Sequence, residues 1–180
     1  MAMCIAIYVN LQVGSDAYIT LGLNLSSMKI LELKVPPPVV ALSLGLGMWG
    51  ISLFTATVNA NFLARVVISM AIALVGGVFS LLGAIAFRRA QTTVNPMKPE
   101  RASSLVTGGV YRVTRNPMYV GLLFVLSGWA AFLAAPLSIV GPVAFVFYIS
   151  RFQIAPEERV LTPLFGKAYG NYKTRVRRWL

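Results

Sequence analysis

Ser103-Ser104-Leu105-Val106-Thr107-Gly108-Gly109-Val110-Tyr111-Arg112-Val113-Thr114-Arg115-Asn116-Pro117-Met118-Tyr119 separates two long runs of the chain that carry no charge. A simple membrane hairpin needs only a short turn at such a place. This stretch is instead polar and basic, with paired glycines that free the backbone and a proline that fixes it. It suits a loop that wraps a polar ligand at the edge of a bilayer, its arginines and tyrosines laying apolar stems inward and polar tips outward. The same residues also suit a cytoplasmic connector whose arginines anchor the following span.

Composition puts the loop in a membrane protein. Of 180 residues 57% are hydrophobic, and the mean hydropathy of +0.74 is too high for a soluble domain of this size. Sixteen Lys and Arg face five Asp and Glu. Because the cations cluster beside apolar spans, anionic headgroups and topology account for them, and nucleic acid is not expected as a partner. The chain has no histidine and a single cysteine, Cys4, which excludes an internal disulfide, a thiolate-imidazole metal site and Ser-His-Asp chemistry. No metal site is expected, and chemistry has to come from a bound cofactor.

Upstream of the loop, Val39–Val58 is twenty residues without a charge and Val66–Phe87 is twenty-two, each enough to cross about 30 Å of hydrocarbon. Gly45, Gly47 and Gly50 on the first, and Gly76, Gly77 and Gly83 on the second, offer small faces for close helix approach. Downstream, Arg115 and Arg151 bracket thirty-five uncharged residues, enough for two helices of about seventeen in a tight hairpin that turns near Ala135-Pro136. Pro142 is expected to kink the second arm. Residues 1–34 read as an N-terminal extension. Met28 offers a natural start, so residues 1–28 are either without a role or a weak extra apolar helix. With the N-terminus inside, four spans put every Lys and Arg except Arg65 on the cytoplasmic side.

The tail repeats apolar or aromatic residues at Leu161, Leu164, Phe165, Ala168, Tyr169, Tyr172 and Val176, a helical stripe interrupted by Pro163, Gly166 and Gly170. A bent helix or two short ones, on the membrane surface and docked on the central loop, is expected. The fold class is therefore all-α and multi-pass. Residues 35–87 hold the first two spans, and residues 88–180 hold the loop, the hairpin and a cytoplasmic helical tail.

Leu105-Val106-Thr107-Gly108-Gly109-Val110-Tyr111 and Arg115-Asn116-Pro117-Met118-Tyr119, followed across the hairpin by Glu157-Glu158, Leu161, Phe165-Gly166, Tyr169, Tyr172 and Arg175-Val176, resemble the isoprenylcysteine carboxyl methyltransferase and phospholipid methyltransferase superfamily of integral membrane enzymes. The resemblance covers roughly residues 88–180 and implies S-adenosylmethionine as cofactor. It implies a cofactor site formed by Ser103, Ser104, Leu105, Val106, Tyr111, Asn116, Pro117, Met118 and Tyr119, closed by Glu157 and Glu158. The acceptor it implies is a lipid or lipidated small molecule entering from the bilayer, with carboxyl O-methylation first and phosphatidylethanolamine N-methylation as the alternative. A membrane reductase of related architecture using NADPH, and a non-catalytic membrane protein, are the readings from other classes. The terse N-terminal part is bacterial in style, so an inner membrane with the site at its cytoplasmic face is the expected location.

The chain departs from that pattern twice. Many eukaryotic members have histidine where this chain has Asn116, so a role needing imidazole protonation is absent while loop shaping can survive. Prenylcysteine enzymes carry a substrate-contacting arginine four residues before the first glutamate, where this chain has Gln153. Gln153 and the nearby Arg151 are therefore the substrate-binding candidates. On the residues alone, Glu157-Glu158 after Pro156 also fits an ordinary acidic helix start. Arg112 and Arg115 fit either a cofactor carboxylate or simple anchoring.

Overall fold

The computed structural model describes residues 32–90, 97 and 99–180. The expected extension over residues 1–28 lies outside them. The described residues form helices and no strand: α1 (Pro37–Ser52), α2 (Phe62–Arg89), α3 (Pro117–Leu133), α4 (Val140–Ile149) and α5 (Ala155–Arg175), with a π turn at Ser150–Ile154 joining the last two. Short 3₁₀ turns occur at Pro99–Arg101, Gly109–Arg112 and Pro136–Ile139.

α2 is the clearest crossing helix. Asn61 caps it by accepting from the Ala64 N–H at 3.2 Å, and Arg88 and Arg89 close its far end, where cations meet the negative pole of the helix dipole. Its 28 residues cover roughly 42 Å at the standard rise. Val67, Met70, Leu74, Val78 and Leu81 are exposed along it, an apolar flank that suits hydrocarbon. The helical run Pro136–Arg175, which includes the break at Gly166, is also long and apolar enough to cross, whereas Pro37–Ser52 and Pro117–Leu133 are shorter apolar helices. The charge-free run from Val39 to Val58 thus overstates the first helix, which stops at Ser52. Beyond it Ser52 and Thr55 turn their hydroxyls back onto the carbonyls of Trp49 and Ile51, and Val58 donates its N–H to Ala134 O at 2.7 Å.

α2 and α3 pack closest. A Cβ on Gly76 would lie 2.5 Å from Gly121 O, and one on Gly128 would lie 2.8 Å from Ser69 O, so only glycine lets the two backbones meet. Gly83 serves the same seam beside Pro117 and Met118, while Gly47, Gly50 and Gly77 face open space. α1 is locked from the other side: Met48 fills the niche at Gly141, and Trp129 Nε1 donates to Gly45 O at 3.0 Å. Phe145, Ile149, Ile154, Met48 and Leu126 form the core beneath.

The hairpin turns where the charge gap required, with Ala134 in the left-handed region (φ 51°) and Pro136 opening the next turn. Pro142 does not kink its arm. It falls in the first turn of α4, where its missing N–H leaves no helical bond unmade. The irregularity lies instead at the π turn. The tail breaks at Gly166 (φ 51°, ψ −127°) into two helical pieces, as its glycines foretold.

Candidate active site

Five segments converge at one end of the α2–α3 pair. Gly109, at φ 60°, lets the loop curl into its 3₁₀ turn and delivers Tyr111 inward. Tyr172 returns from the tail to donate its hydroxyl to Tyr111 O at 2.6 Å, and Phe87 meets the Tyr111 ring edge-on at 5.4 Å. Ser104 Oγ ties the loop to the end of α2 through Ala90 O at 3.1 Å.

The last residues thread beside the loop. Arg115 N donates to Arg177 O at 3.0 Å, and Thr114 Oγ1 and Asn116 Nδ2 donate to Arg178 O at 3.2 and 2.8 Å. Asn116 thus shapes the loop through its amide, a task that imidazole protonation has no part in. Trp179 Nε1 reaches Ser150 Oγ at 3.1 Å and pins the tail to the π turn.

Between these segments lies a half-open pocket of about 140 Å³. Of the residues expected from the sequence, Ser104, Leu105, Val106, Tyr111, Asn116, Met118, Tyr119, Glu157 and Glu158 line it together. Ser103 and Pro117 do not line it; Pro117 opens α3 and packs near Gly83. Gln153 is buried behind the wall, its Nε2 donating to Glu157 Oε1 at 3.0 Å. Arg151 turns away: it pairs with Glu32 at 2.7 Å, stacks over Phe152, and borders a separate open groove with Arg159, Thr162 and Lys173. Phe87, Pro99, Ala102 and Ile154 also line the pocket and carried no signal in the sequence. Leu161, Phe165, Tyr169 and Tyr172 stood in the tail stripe, and the structure turns that stripe inward.

Glu157 is the buried anion of the site. Tyr119 donates to its Oε1 at 2.5 Å and Gln153 to the same oxygen, leaving Oε2 without a hydrogen bond among the described residues. Burial pushes its pKa up to about 7, the two hydrogen bonds oppose that rise, and the neighbouring Glu158 charge adds to it. Glu158 is differently placed. It sits between Arg178, whose Nη2 is at 2.7 Å, and Arg115, whose Nη1 is at 3.0 Å, and is held as an ion pair. The Arg115 contact lacks hydrogen-bond alignment, so the buried Nε and Nη1 of Arg115 remain without an acceptor. Burial raises the Tyr111 and Tyr172 hydroxyls well above their ordinary range and Tyr169 to about 12, so all three stay neutral donors.

The pocket is lined mostly by apolar and aromatic side chains, and Glu157, Glu158 and Arg115 are the charged groups among them. No solved structure matches the chain at a significant level. Among curated proteins, an "Uncharacterized protein" of Haemophilus influenzae is 44% identical over 63 residues, 35% of this chain and all of that protein. A rice protein (Oryza sativa subsp. indica) named "Probable protein-S-isoprenylcysteine O-methyltransferase" is 33% identical over 112 residues, 61% of this chain and 57% of that protein. "Protein-S-isoprenylcysteine O-methyltransferase B" of Arabidopsis thaliana is 35% identical over 91 residues, 49% of this chain and 45% of the relative. The chain therefore spans about half the length of the plant relatives it matches. The model of the phospholipid methyltransferase family matches residues 64–168, which is more than half of the chain and runs from the start of α2 through both glutamates into α5. By that match the chain belongs to the phospholipid methyltransferase family.

Proposed function

We propose that the chain is an integral membrane methyltransferase that uses S-adenosylmethionine to methylate a carboxylate or another anionic nucleophile on a lipidic acceptor. The observation that carries this reading is that Glu157 and Arg115 line the same largely aromatic pocket. The pocket residues fit the cofactor. Glu157 suits its cationic sulfonium and ammonium, Arg115 its carboxylate, and the rings of Phe87, Tyr111 and Phe165 its adenosine. When bound, that cofactor supplies an electrophilic methyl group on sulfur.

The chain's own part is positioning and charge. Glu157, held by Tyr119 and Gln153, offers a positioned carboxylate that a cationic ligand keeps ionised, and the neutral tyrosines do not compete as nucleophiles. A carboxylate acceptor is already ionised at neutral pH and needs no general base. The plant relatives' names agree with a carboxyl acceptor of this kind. Phosphatidylethanolamine N-methylation is a second reading with its own support. Its ammonium has to lose a proton, and Glu157, at about 7, is tuned to take one.

In the membrane we place α1, α2, α3 and the α4 run as four spans, the last ending before Arg151, with the pocket at the cytoplasmic face. Arg65 marks the opposite face, where its Nε donates to Phe132 O at 2.9 Å. Reagent access to single cysteines placed at Asn59 and Lys167, with Cys4→Ser in both, tests the sidedness. Calorimetry of S-adenosylmethionine and S-adenosylhomocysteine on the detergent-solubilised protein, followed by methylation assays with isoprenylcysteine analogues and phosphatidylethanolamine, tests the chemistry. Absence of binding by a folded protein sinks the reading, and NADPH is then the ligand to try.

A further inference from the structure

The π turn at Ser150–Ile154 precedes Glu157 by three residues and sets where that carboxylate points. One surplus residue in a helix rotates everything after it by roughly 100° relative to a regular continuation. Without it, α5 would leave α4 in another register and Glu157 would face away from Tyr119. Such turns are costly and need outside support.

That support comes from the start of the described chain. The Leu33 N–H donates to Phe152 O, a carbonyl of the turn itself, at 3.1 Å. One oxygen of Glu32 takes Arg151 Nη1 at 2.7 Å and the other takes Arg159 Nη2. In a regular helix residues eight apart point roughly 80° away from each other. The surplus residue brings Arg151 and Arg159 to within roughly 20° of a common face. The double ion pair therefore favours the π register over the regular one.

We propose that Glu32 is a positioning residue for Glu157: by bridging Arg151 and Arg159 it selects the register of the π turn that points Glu157 at Tyr119. Its importance to activity rests on the reading of Glu157 as the carboxylate that meets the cofactor. The ionisable groups around Glu157 are Tyr119 from α3, Tyr111 and Arg115 from the loop, and Glu158 and Tyr169 from α5. None of them touches Glu32, so a change at Glu32 reaches Glu157 through the turn.

The test is made on the full ligand-free chain in detergent. Protonation of Glu157 is followed by its infrared carbonyl band, identified by its loss in Glu157→Gln. The wild type is expected to titrate near 7, where burial pushes the carboxyl. In Glu32→Gln the midpoint falls by about one unit or more as Glu157 leaves its buried place, and S-adenosylhomocysteine binds about tenfold or more weakly. Arg159→Gln, which removes one arm at an exposed side chain and leaves the core untouched, shifts the midpoint in the same direction by less. A midpoint that stays at the wild-type value in folded Glu32→Gln and Arg159→Gln, even with a lowered melting temperature, overturns the proposal and leaves Glu32 a plain brace. A shifted midpoint in a protein whose wild type binds no S-adenosylhomocysteine upholds the positioning role and removes the cofactor reading instead.

Discussion

Tyr119 and Glu157, thirty-eight residues apart on α3 and α5, meet with the tyrosine hydroxyl 2.5 Å from Oε1. The contact joins the two halves of the site across the hairpin, and Gln153 shares the same oxygen.

Tyr119→Phe keeps the ring and removes the donor. A hydrogen bond to the ionised form holds a carboxyl's pKa down, so its loss lets Glu157 rise further above about 7. At neutral pH the variant therefore binds S-adenosylmethionine more weakly, by a loss on the order of 1–3 kcal/mol, and regains much of it at pH 9. Calorimetry at the two pH values checks this, and an equal loss at both would show that the hydroxyl acts by contact alone.

The ligand-free protein has a pH dependence of fixed sign. Glu157 binds its proton more tightly folded, near 7, than unfolded, near 4.5. Its contribution is fully present below about 4.5 and is lost as the pH rises through about 7, a change on the order of 3 kcal/mol, flat above. Affinity for a cationic ligand runs the other way, rising up to about pH 7 and then levelling. Thermal unfolding of wild type against Glu157→Gln, with the other four acids in common, isolates the difference, which vanishes if Glu157 titrates normally.

Gly121 tests the seam beneath the site. A Cβ there would lie 2.6 Å from Gly76 O, a backbone atom that cannot yield without parting α2 from α3. Gly121→Ala is expected to cost about 1–3 kcal/mol or more, while Gly77→Ala, which faces open space, is neutral or mildly stabilising. Melting temperatures in one detergent compare them directly.

What the sequence disclosed follows from what hydropathy and spacing can encode. α2 and the hairpin turn were legible because charge stops at their ends and Pro136 punctuates the bend. The loop and Glu157 were legible as a motif pair, yet their contact was not, since no pattern states which residues meet across a hairpin. α1 was overrun because Ser52 and Thr55 are uncharged and still turn their hydroxyls back onto the last helical carbonyls. Ser150-Arg151-Phe152-Gln153-Ile154 carries nothing that marks a π turn, so the faces of Arg151 and Gln153 could not be assigned from regular helical spacing. Arg115 had two fair readings, anchor or ligand partner, and no sequence pattern chooses between them.

Arg115 yields the sharpest ligand test. Its Nε is buried without a hydrogen-bond acceptor and its Nη1 meets Glu158 at 3.0 Å without hydrogen-bond alignment, while Glu158 keeps Arg178 as a second partner and is not left bare when Arg115 is changed. A buried guanidinium short of acceptors binds a carboxylate strongly, because the ligand satisfies donors that burial has already stripped of water. Arg115→Gln is therefore expected to weaken S-adenosylhomocysteine, which has an amino-acid carboxylate, by about tenfold to a hundredfold, on the order of 1.4–3 kcal/mol. The same variant should bind 5′-methylthioadenosine, which lacks that carboxylate, as the wild type does. Equal weakening of both ligands would mean that Arg115 shapes the pocket through Glu158 and does not receive the carboxylate. Unchanged binding of both would return it to the role of a membrane anchor.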